Sequence, residues 1–109
     1  MDEKSYMKLA YEALRKVEAA FDEVDVDDAD PEPTGDVITI TYRDGSRCVV
    51  NTQRPARQIW LAANAQAWHF SYDEASQRWM DDKGRGVELF AKIVEITREA
   101  CGVELSLGA

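Results

Sequence analysis

The feature that most constrains the fold is a two-residue alternation in the middle of the chain. Between residues 37 and 42, threonines alternate with larger apolar side chains, which predicts a strand with Ile38, Ile40 and Tyr42 on one face. Residues 43–46, with Asp-Gly at their core, supply a turn, and residues 47–51 return as the partner strand. This hairpin indicates an antiparallel sheet with one buried face.

Further alternating runs extend the predicted sheet. Residues 57–62 and residues 67–72 each alternate over six positions, and residues 77–80 form a short last strand. Pro31 and Pro33 exclude a central strand before the hairpin and permit at most an edge strand, because proline cannot donate a hydrogen bond to a neighbour. We therefore expect a sheet of five to six strands.

Two amphipathic helices flank the predicted strands. The first, which Ser5 or Asp2 could cap, has apolar residues at three- and four-residue spacing: Tyr6, Leu9, Ala10, Ala13, Leu14, Val17, Phe21 and Val24. The second ends before Gly102 and has the stripe Leu89, Phe90, Ile93, Val94, Thr97 and Ala100. Short connections favour both helices on one face of the sheet, with residues 103–107 covering the gap between them. The predicted fold class is α+β, a two-layer α/β sandwich with two helices packed on one face of an antiparallel sheet.

Composition limits the class of protein. A chain of 109 residues is predicted to form a single domain, and its hydrophobic fraction of 45% argues against disorder despite a net charge of -8. No apolar run approaches the ~18 to 20 residues of a membrane span, and no signal peptide is recognisable, so we expect a cytoplasmic protein without a membrane partner. Cys48 and Cys101 are predicted to be buried or half-buried thiols rather than a disulfide or a zinc site.

The negative charge is segregated rather than spread. No Lys or Arg occurs between Val17 and Tyr42, whereas nine acids do: Glu18, Asp22, Glu23, Asp25, Asp27, Asp28, Asp30, Glu32 and Asp36. Acids beside a helix C-terminus cost a few tenths of a kcal/mol each, roughly, because that end carries partial negative charge. A solvated face that aids solubility is one interpretation. The conflict with the helix dipole favours a second one, in which a metal ion or a basic protein surface docks there.

The donors in this acidic segment are all carboxylate oxygens, which suit hard cations such as calcium, magnesium, manganese and iron. Residues 25–30 are similar to a calcium loop, but Ala29 takes the fifth ligand position and Asp30 replaces the turn glycine, so an EF-hand is excluded. Without His or Cys in the segment, we expect an open, weak and poorly selective ridge rather than a cage.

Residues 51–62 have the composition of a protein-binding surface. Ile59 and Leu61 alternate with Gln58 and Trp60, so Trp60 shares the face of Gln58. Trp and Arg supply much of the contact energy at interfaces, which makes these residues candidates: Asn51, Gln53, Arg54, Arg57, Gln58 and Trp60. The alternative is that Trp60 packs in the core. Because Ile59 and Leu61 are expected to face the helices, we favour an exposed Trp60.

Basic residues also gather in this part of the sequence. Arg43, Arg47, Arg54 and Arg57 predict a locally basic region. Nucleic acid is not an expected partner, because the whole chain is acidic and lacks the interleaved aromatics of a single-strand binder. His69, the only histidine, is interpreted as a surface residue of the sheet rather than a metal ligand.

Taken together, the sequence resembles the frataxin family, and most closely its bacterial CyaY-type members, from about residue 6 to residue 100. The most specific matches are Val37-Ile38-Thr39-Ile40-Thr41-Tyr42, Asp44-Gly45-Ser46, Asn51-x-Gln53-x-Pro55-x-x-Gln58-Ile59-Trp60-Leu61-Ala62 and Trp68-His69-Phe70. The resemblance implies the same sandwich fold. The chain departs from the family pattern at Thr52, where a basic residue is common, and at Pro31 and Pro33, where a short first strand usually runs.

The resemblance implies a non-enzymatic accessory role in iron–sulfur cluster assembly. It implies weak binding of iron (Fe2+ and Fe3+) on the ridge residues Glu18, Asp22, Glu23, Asp25, Asp27, Asp28 and Asp30. It also implies a cysteine desulfurase and an iron–sulfur scaffold protein as partners, with Asn51, Gln53, Gln58 and Trp60 on the partner surface. We expect a monomer that iron could drive to self-associate. The alternative function is a protein-interaction regulator of the desulfurase whose weak cation binding is incidental.

Overall fold

The computed structural model of the protein describes residues 1–107. The elements run helix, six strands, helix: α1 (Glu3–Ala20), β1 (Ala29–Thr34), β2 (Val37–Tyr42), β3 (Arg47–Gln53), β4 (Gln58–Ala63), β5 (Gln66–Asp73), β6 (Arg78–Asp81) and α2 (Leu89–Cys101). The strands form one antiparallel sheet in the order β1-β2-β3-β4-β5-β6. This architecture confirms the predicted sandwich of the α+β class. Within the described residues, no helix is long and apolar enough to cross a membrane.

Both helices cover the same face of the sheet. The hydroxyl of Tyr6, in the first turns of α1, donates to the backbone carbonyl of Gln58 at 2.6 Å and accepts from the backbone N–H of Gln53 at 3.1 Å. From α2, the hydroxyl of Thr97 is hydrogen-bonded to that of Tyr42 at 2.9 Å. The alternation correctly assigned Ile38, Ile40, Tyr42, Ile59 and Leu61 to this face, where all five are buried. The other buried side chains of the sheet on this face are Val50, Trp68, Phe70 and Trp79.

The first helix is shorter than its apolar pattern predicts. Asp2 caps its start, where the carboxylate accepts a hydrogen bond from the backbone N–H of Ser5 at 2.7 Å. The helix ends at Ala20 with Phe21 as its C-cap. Val24 continues the helical spacing but packs against the core from the turn that follows. The prediction of helix up to Val24 is therefore wrong, because a turn places the same apolar side chain inward.

The second helix and the tail agree with the sequence. Glu88 caps the start of α2, and Gly102, with φ of 73°, ends it in the left-handed conformation that glycine adopts without cost. After Gly102 the chain buries Leu105, and Val103 and Leu105 line a shallow depression together with Ala20 and Val24 from the end of α1.

Each edge of the sheet is protected. β1 is an edge strand as predicted, and it pairs with β2 from Ala29 to Thr34 despite containing Pro31 and Pro33. The prolines lie two residues apart, so both ring nitrogens point to the same side, and only the open edge tolerates them. At the other edge, the backbone N–H of Asp81 donates to the carbonyl of Val87 at 2.9 Å. Because β1 pairs with β2 along its whole length, the sheet has six strands, within the predicted range of five to six.

Both cysteines have the burial that the sequence predicted, and both are free thiols. Cys48 is buried and Cys101 is half-buried. Burial raises the pKa of the Cys48 thiol to about 12, because the surrounding core disfavours a thiolate.

Candidate functional site

The predicted ridge begins at the C-terminus of α1 and ends on β1. Glu18 lies in the last turn of the helix, and Asp22 and Glu23 follow in the turn after it. The next turn is organised by Asp25, whose carboxylate accepts a hydrogen bond from the backbone N–H of Asp27 at 2.9 Å. Asp22, Glu23, Asp25 and Asp27 are all exposed. The structure thus places these acids along one continuous surface segment.

The helix dipoles add to the negative potential at this end of the molecule. α1 has no basic residue in its last turn. Its start contacts the β3 and β4 ends at Gln53 and Gln58, whereas Thr97 near the end of α2 contacts Tyr42 at the opposite end of the sheet. Both helices therefore direct their C-termini, which carry partial negative charge, toward the end of the molecule that bears the acidic turns.

One ridge carboxylate is neutralised within the chain. The guanidinium of Arg43 donates to the carboxylate of Asp28, and the backbone N–H of Arg43 donates to the carbonyl of Asp28 at 2.9 Å. The pairing of Ala29 with Tyr42 brings these two residues together. Although no Lys or Arg lies between Val17 and Tyr42 in the sequence, the fold therefore gives Asp28 a basic partner. In the described part of the chain, no ion pair reaches the other predicted ridge residues: Glu18, Asp22, Glu23, Asp25, Asp27 and Asp30.

The ridge is an open surface and not a cage. Glu23, Asp25 and Asp28 line the depression beside the C-terminal tail, together with Glu104, which the sequence reasoning missed. The carboxylate of Glu104 is paired with Arg98. Among residues 1–107 no three His, Cys, Asp or Glu side chains are grouped closely enough to hold a metal ion. The donor chemistry suits hard cations such as iron, but each ion would meet few carboxylates at a time.

The face of the sheet opposite the helices carries the predicted partner surface. In register across the strands, Asn51 pairs with Trp60 and Trp60 with His69. In the adjacent row Gln53 pairs with Gln58, and Gln58 with Ser71. We call this surface the open face. Trp60 is half-buried there, so the predicted side of the strand is correct.

Thr52 and the arginines lie elsewhere. Thr52 is buried on the helix-covered face, so this departure from the family pattern does not touch the open face. Arg54 and Arg57 lie in the β3–β4 turn, where the Arg57 guanidinium donates to the Arg54 carbonyl at 2.6 Å. Arg43 and Arg47 flank the β2–β3 turn at the other end of β3. The prediction of one locally basic region is therefore wrong, because a strand separates the two pairs.

Trp60 is held on the open face by specific contacts. Its ring stacks on that of His69, with 4.2 Å between centroids and an interplanar angle of 16°. The indole N–H donates to the side-chain oxygen of Gln58 at 2.9 Å. The Gln58 amide nitrogen in turn donates to the carboxylate of Asp82 at 3.0 Å and to the hydroxyl of Ser71 at 3.2 Å. Nothing in the sequence indicated the contact between Asp82 and Gln58. Asp82 lies in a turn after a short strand, where no periodic pattern reports the direction of a side chain.

The comparison with known proteins agrees with this architecture. The profile of the frataxin-like domain family matches residues 1–103. The chain belongs to the frataxin family. It is 34% identical over 112 aligned residues to "Iron-sulfur cluster assembly protein CyaY" of Delftia acidovorans, an alignment that covers 100% of this chain and 99% of that protein. The protein with the same description from Cupriavidus metallidurans is 37% identical over 110 residues, which cover 98% of this chain and 96% of that protein.

A solved frataxin from Psychromonas ingrahamii has the same fold. It matches this chain with a TM-score of 0.88 at 22% identity, and the match covers 100% of both chains. The predicted resemblance to frataxins of the CyaY type is thus confirmed over nearly the whole chain. In the present chain, the acidic ridge and the open face lie on the elements that the sequence predicted. The ligands and partners of these two surfaces stay predictions.

Proposed function

We propose that this frataxin is an accessory protein of iron–sulfur cluster assembly, with no catalytic activity of its own. The proposal follows the description of its relatives as iron–sulfur cluster assembly proteins. The observation on which it chiefly rests is the ridge, where, among residues 1–107, Asp28 is the one ridge carboxylate near the helix C-terminus that has a basic partner. Such an arrangement costs stability in the isolated protein, and a cationic partner would offset that cost.

A basic groove of the cysteine desulfurase is the proposed partner of the ridge. The contact would be driven by charge, so its association rate and affinity should fall as salt rises, because mobile ions screen exposed charges within about 10 Å at 0.1 M. Asp22, Asp25 and Asp27 are the best positions to test, since they are exposed and form no ion pair among residues 1–107.

The open face is the proposed surface for the iron–sulfur scaffold protein. Trp60 offers a large flat side chain, and Asn51, Gln53 and Gln58 surround it with amide donors and acceptors. Arg54 and Arg57 lie in the β3–β4 turn, beyond the ends of these strands. Interfaces concentrate their binding energy in such aromatic centres with polar surroundings. We place this activity in the cytoplasm.

Iron is the proposed cargo of the ridge. Carboxylate oxygens suit Fe2+ and Fe3+, and the open geometry suits weak binding and easy transfer. The alternative is that the protein acts only by docking, because any ridge of carboxylates attracts multivalent cations. The two functions differ in one respect: only the first requires iron on the ridge to change the rate of cluster assembly.

The test combines calorimetry with cluster reconstitution. Asp22→Asn, Asp25→Asn and Asp27→Asn are introduced together. Glu3→Gln at the start of α1, with Asp73→Asn and Glu74→Gln at the end of β5, form a control with the same change in charge at the opposite end of the sheet. We expect the first set, but not the control, to bind the isolated desulfurase more weakly when the two are titrated in the calorimeter. Equal weakening by both sets would show that only net charge matters, against a specific ridge contact.

The iron arm uses the wild-type protein. We expect iron-loaded and chelated protein to change the rate of cluster formation on the scaffold differently, and equal effects would favour the alternative function. Oxygen consumption should be no faster than that of free ferrous iron. Faster consumption would contradict the non-enzymatic role.

A further inference from the structure

Four side chains on the open face form a closed ring of contacts. The Trp60 indole N–H donates to the Gln58 side-chain oxygen at 2.9 Å, and the Gln58 amide nitrogen donates to the Asp82 carboxylate at 3.0 Å. The same Asp82 oxygen lies 3.9 Å from Nδ1 of His69, and the His69 ring stacks on Trp60. The ring joins β4, β5 and the turn after β6, so no single element determines how Trp60 is held.

We propose that Asp82 is a positioning residue that acts through Gln58 to set the orientation of Trp60 on the open face. The inference rests on the proposed function in one respect, the binding of the scaffold protein by Trp60. It assigns to Asp82 a role that neither its position in a turn nor the sequence pattern reveals.

The chemistry of the carboxylate determines the direction of the hydrogen bonds. An ionised carboxylate can only accept, so it must face the Gln58 amide nitrogen and not the amide oxygen. The amide oxygen is then turned toward Trp60, whose indole N–H can only donate. A flipped Gln58 amide would set two acceptors against each other at Asp82 and two donors at Trp60. Asp82 therefore selects the one amide orientation that also fixes the indole edge.

Asp82 itself is held in place on both sides. Its backbone N–H donates to the carbonyl of His69 at 2.9 Å, which extends the β5–β6 pairing by one residue. The preceding Asp81 is buried and accepts two hydrogen bonds from the Arg85 guanidinium, each at 2.8 Å. These contacts hold the backbone of Asp82 beside β5, which keeps its carboxylate within reach of the Gln58 amide.

The test follows the indole N–H of Trp60 by NMR in the intact protein. Its signal is assigned by its loss in Trp60→Phe, and its exchange with solvent is measured. In Asp82→Ala we expect exchange about fivefold faster, the equilibrium change from losing about one hydrogen bond in a partly exposed site. Asp82→Asn keeps an acceptor oxygen and should restore the wild-type rate. Asp73→Ala is the matched control, because Asp73 lies on the same face of β5 and accepts only from Ser76 among the hydrogen bonds of residues 1–107.

Two outcomes would overturn the proposal. One is an exchange rate in Asp82→Ala equal to that of the Asp73→Ala control, and the other is an Asn variant as fast as the Ala variant. Should Asp82→Ala unfold, Gln58→Ala interrupts the same path on a regular strand. It must then accelerate the exchange, and an unchanged rate would refute the positioning role. When all variants fold, the Gln58→Ala and Asp82→Ala effects should not add, since both break one chain of contacts.

A binding arm separates this inference from the proposed function. The NMR result needs no partner, so a wild-type protein that fails to bind the isolated scaffold protein would refute the proposed function and leave the positioning role standing. If the wild type binds, we expect Asp82→Ala to bind about fivefold more weakly and Asp82→Asn to bind normally, by the same loss of one hydrogen bond. Normal binding by Asp82→Ala would contradict the role of the ring in presenting Trp60.

Discussion

Truncation of Trp60 tests the assignment of the two faces of the sheet most directly. In Trp60→Ala the protein loses a stacked contact with His69, at 4.2 Å between centroids, and one hydrogen bond to Gln58. An aromatic pair contributes about 0.5–1.5 kcal/mol beyond its buried area, and a partly exposed hydrogen bond about 0.5–1 kcal/mol. Because the side chain is only half-buried, no large cavity forms. We expect the loss of these two contacts to lower the free energy of unfolding by about 1–2.5 kcal/mol.

The matched comparison is Trp79→Ala on the other face. Trp79 is 4% exposed and makes edge-on contacts with Tyr6 and Tyr72, with centroid distances of 6.0 and 5.3 Å. Its removal should create a cavity under α1 and cost about 3–5 kcal/mol, the range for truncation of a buried large aromatic.

Urea unfolding followed by circular dichroism distinguishes the two. With an m-value of roughly 1.5 kcal/mol per M for a small domain, the midpoint should fall by about 1 M for Trp60→Ala and by about 2 M or more for Trp79→Ala. A loss above ~3 kcal/mol for Trp60→Ala would place its side chain in the core and refute the assignment of the open face. Scaffold binding should show the reverse order among variants that stay folded, with Trp60→Ala the weaker binder.

Three further predictions follow from single contacts. Ala65 has φ of 62° in the β4–β5 turn, so Ala65→Gly should raise the free energy of unfolding by about 0.5–1 kcal/mol, whereas Ala67→Gly within β5 should lower it by a similar amount. The Arg85 guanidinium lowers the pKa of Asp81 to about 2. The native state therefore binds fewer protons than the unfolded state between pH ~4 and ~2. The stability that this contact provides is present above that pH window and is lost as the pH falls through it. Arg85→Ala should therefore lower the free energy of unfolding at pH 7, and the difference from wild type in urea should shrink as the pH approaches 2. A difference that stays constant with pH would contradict the role of this pair. Iodoacetamide at pH 8 should leave Cys48 unmodified in the native protein and alkylate it in denaturant, because the thiol is buried and has a pKa of about 12. Alkylation of Cys48 in the native protein, detected by mass spectrometry, would refute this.

The sequence predicted the faces of the sheet well because side-chain parity follows directly from the alternation. Once Ile59 and Leu61 were assigned to the core, Trp60 had to lie on the other side, and no knowledge of distant contacts was needed. Helix length was harder. The apolar spacing continues from Phe21 to Val24, and a turn can satisfy the same spacing after the hydrogen-bonded helix has ended.

The contacts that the sequence could not predict join residues far apart along the chain. Arg43 is separated from Asp28 by 15 positions, and only the register of β1 on β2 brings them together. Asp82 is separated from Gln58 by 24 positions, and their contact depends on how β4, β5 and β6 line up. Periodicity reports which face a residue occupies, but it does not report which other residues share that face at the same height.

The same register connects the two predicted surfaces. On β1 the side chain of Ala29 is buried, so Asp30 and Glu32 point to the open face, where they are paired in register with Thr41 and Thr39 of β2. The acidic segment therefore continues around the edge of the sheet, and Asp30 belongs to the ridge and to the margin of the open face at once. Trp60 and Asp82 lie toward the opposite edge, on β4 and after β6. Two partners could thus occupy the ridge and the centre of the open face together, and they would approach each other most closely along β1. If they do, Asp30→Asn should weaken joint binding of the desulfurase and the scaffold more than binding of the scaffold alone, and equal weakening of both would argue against adjacent sites.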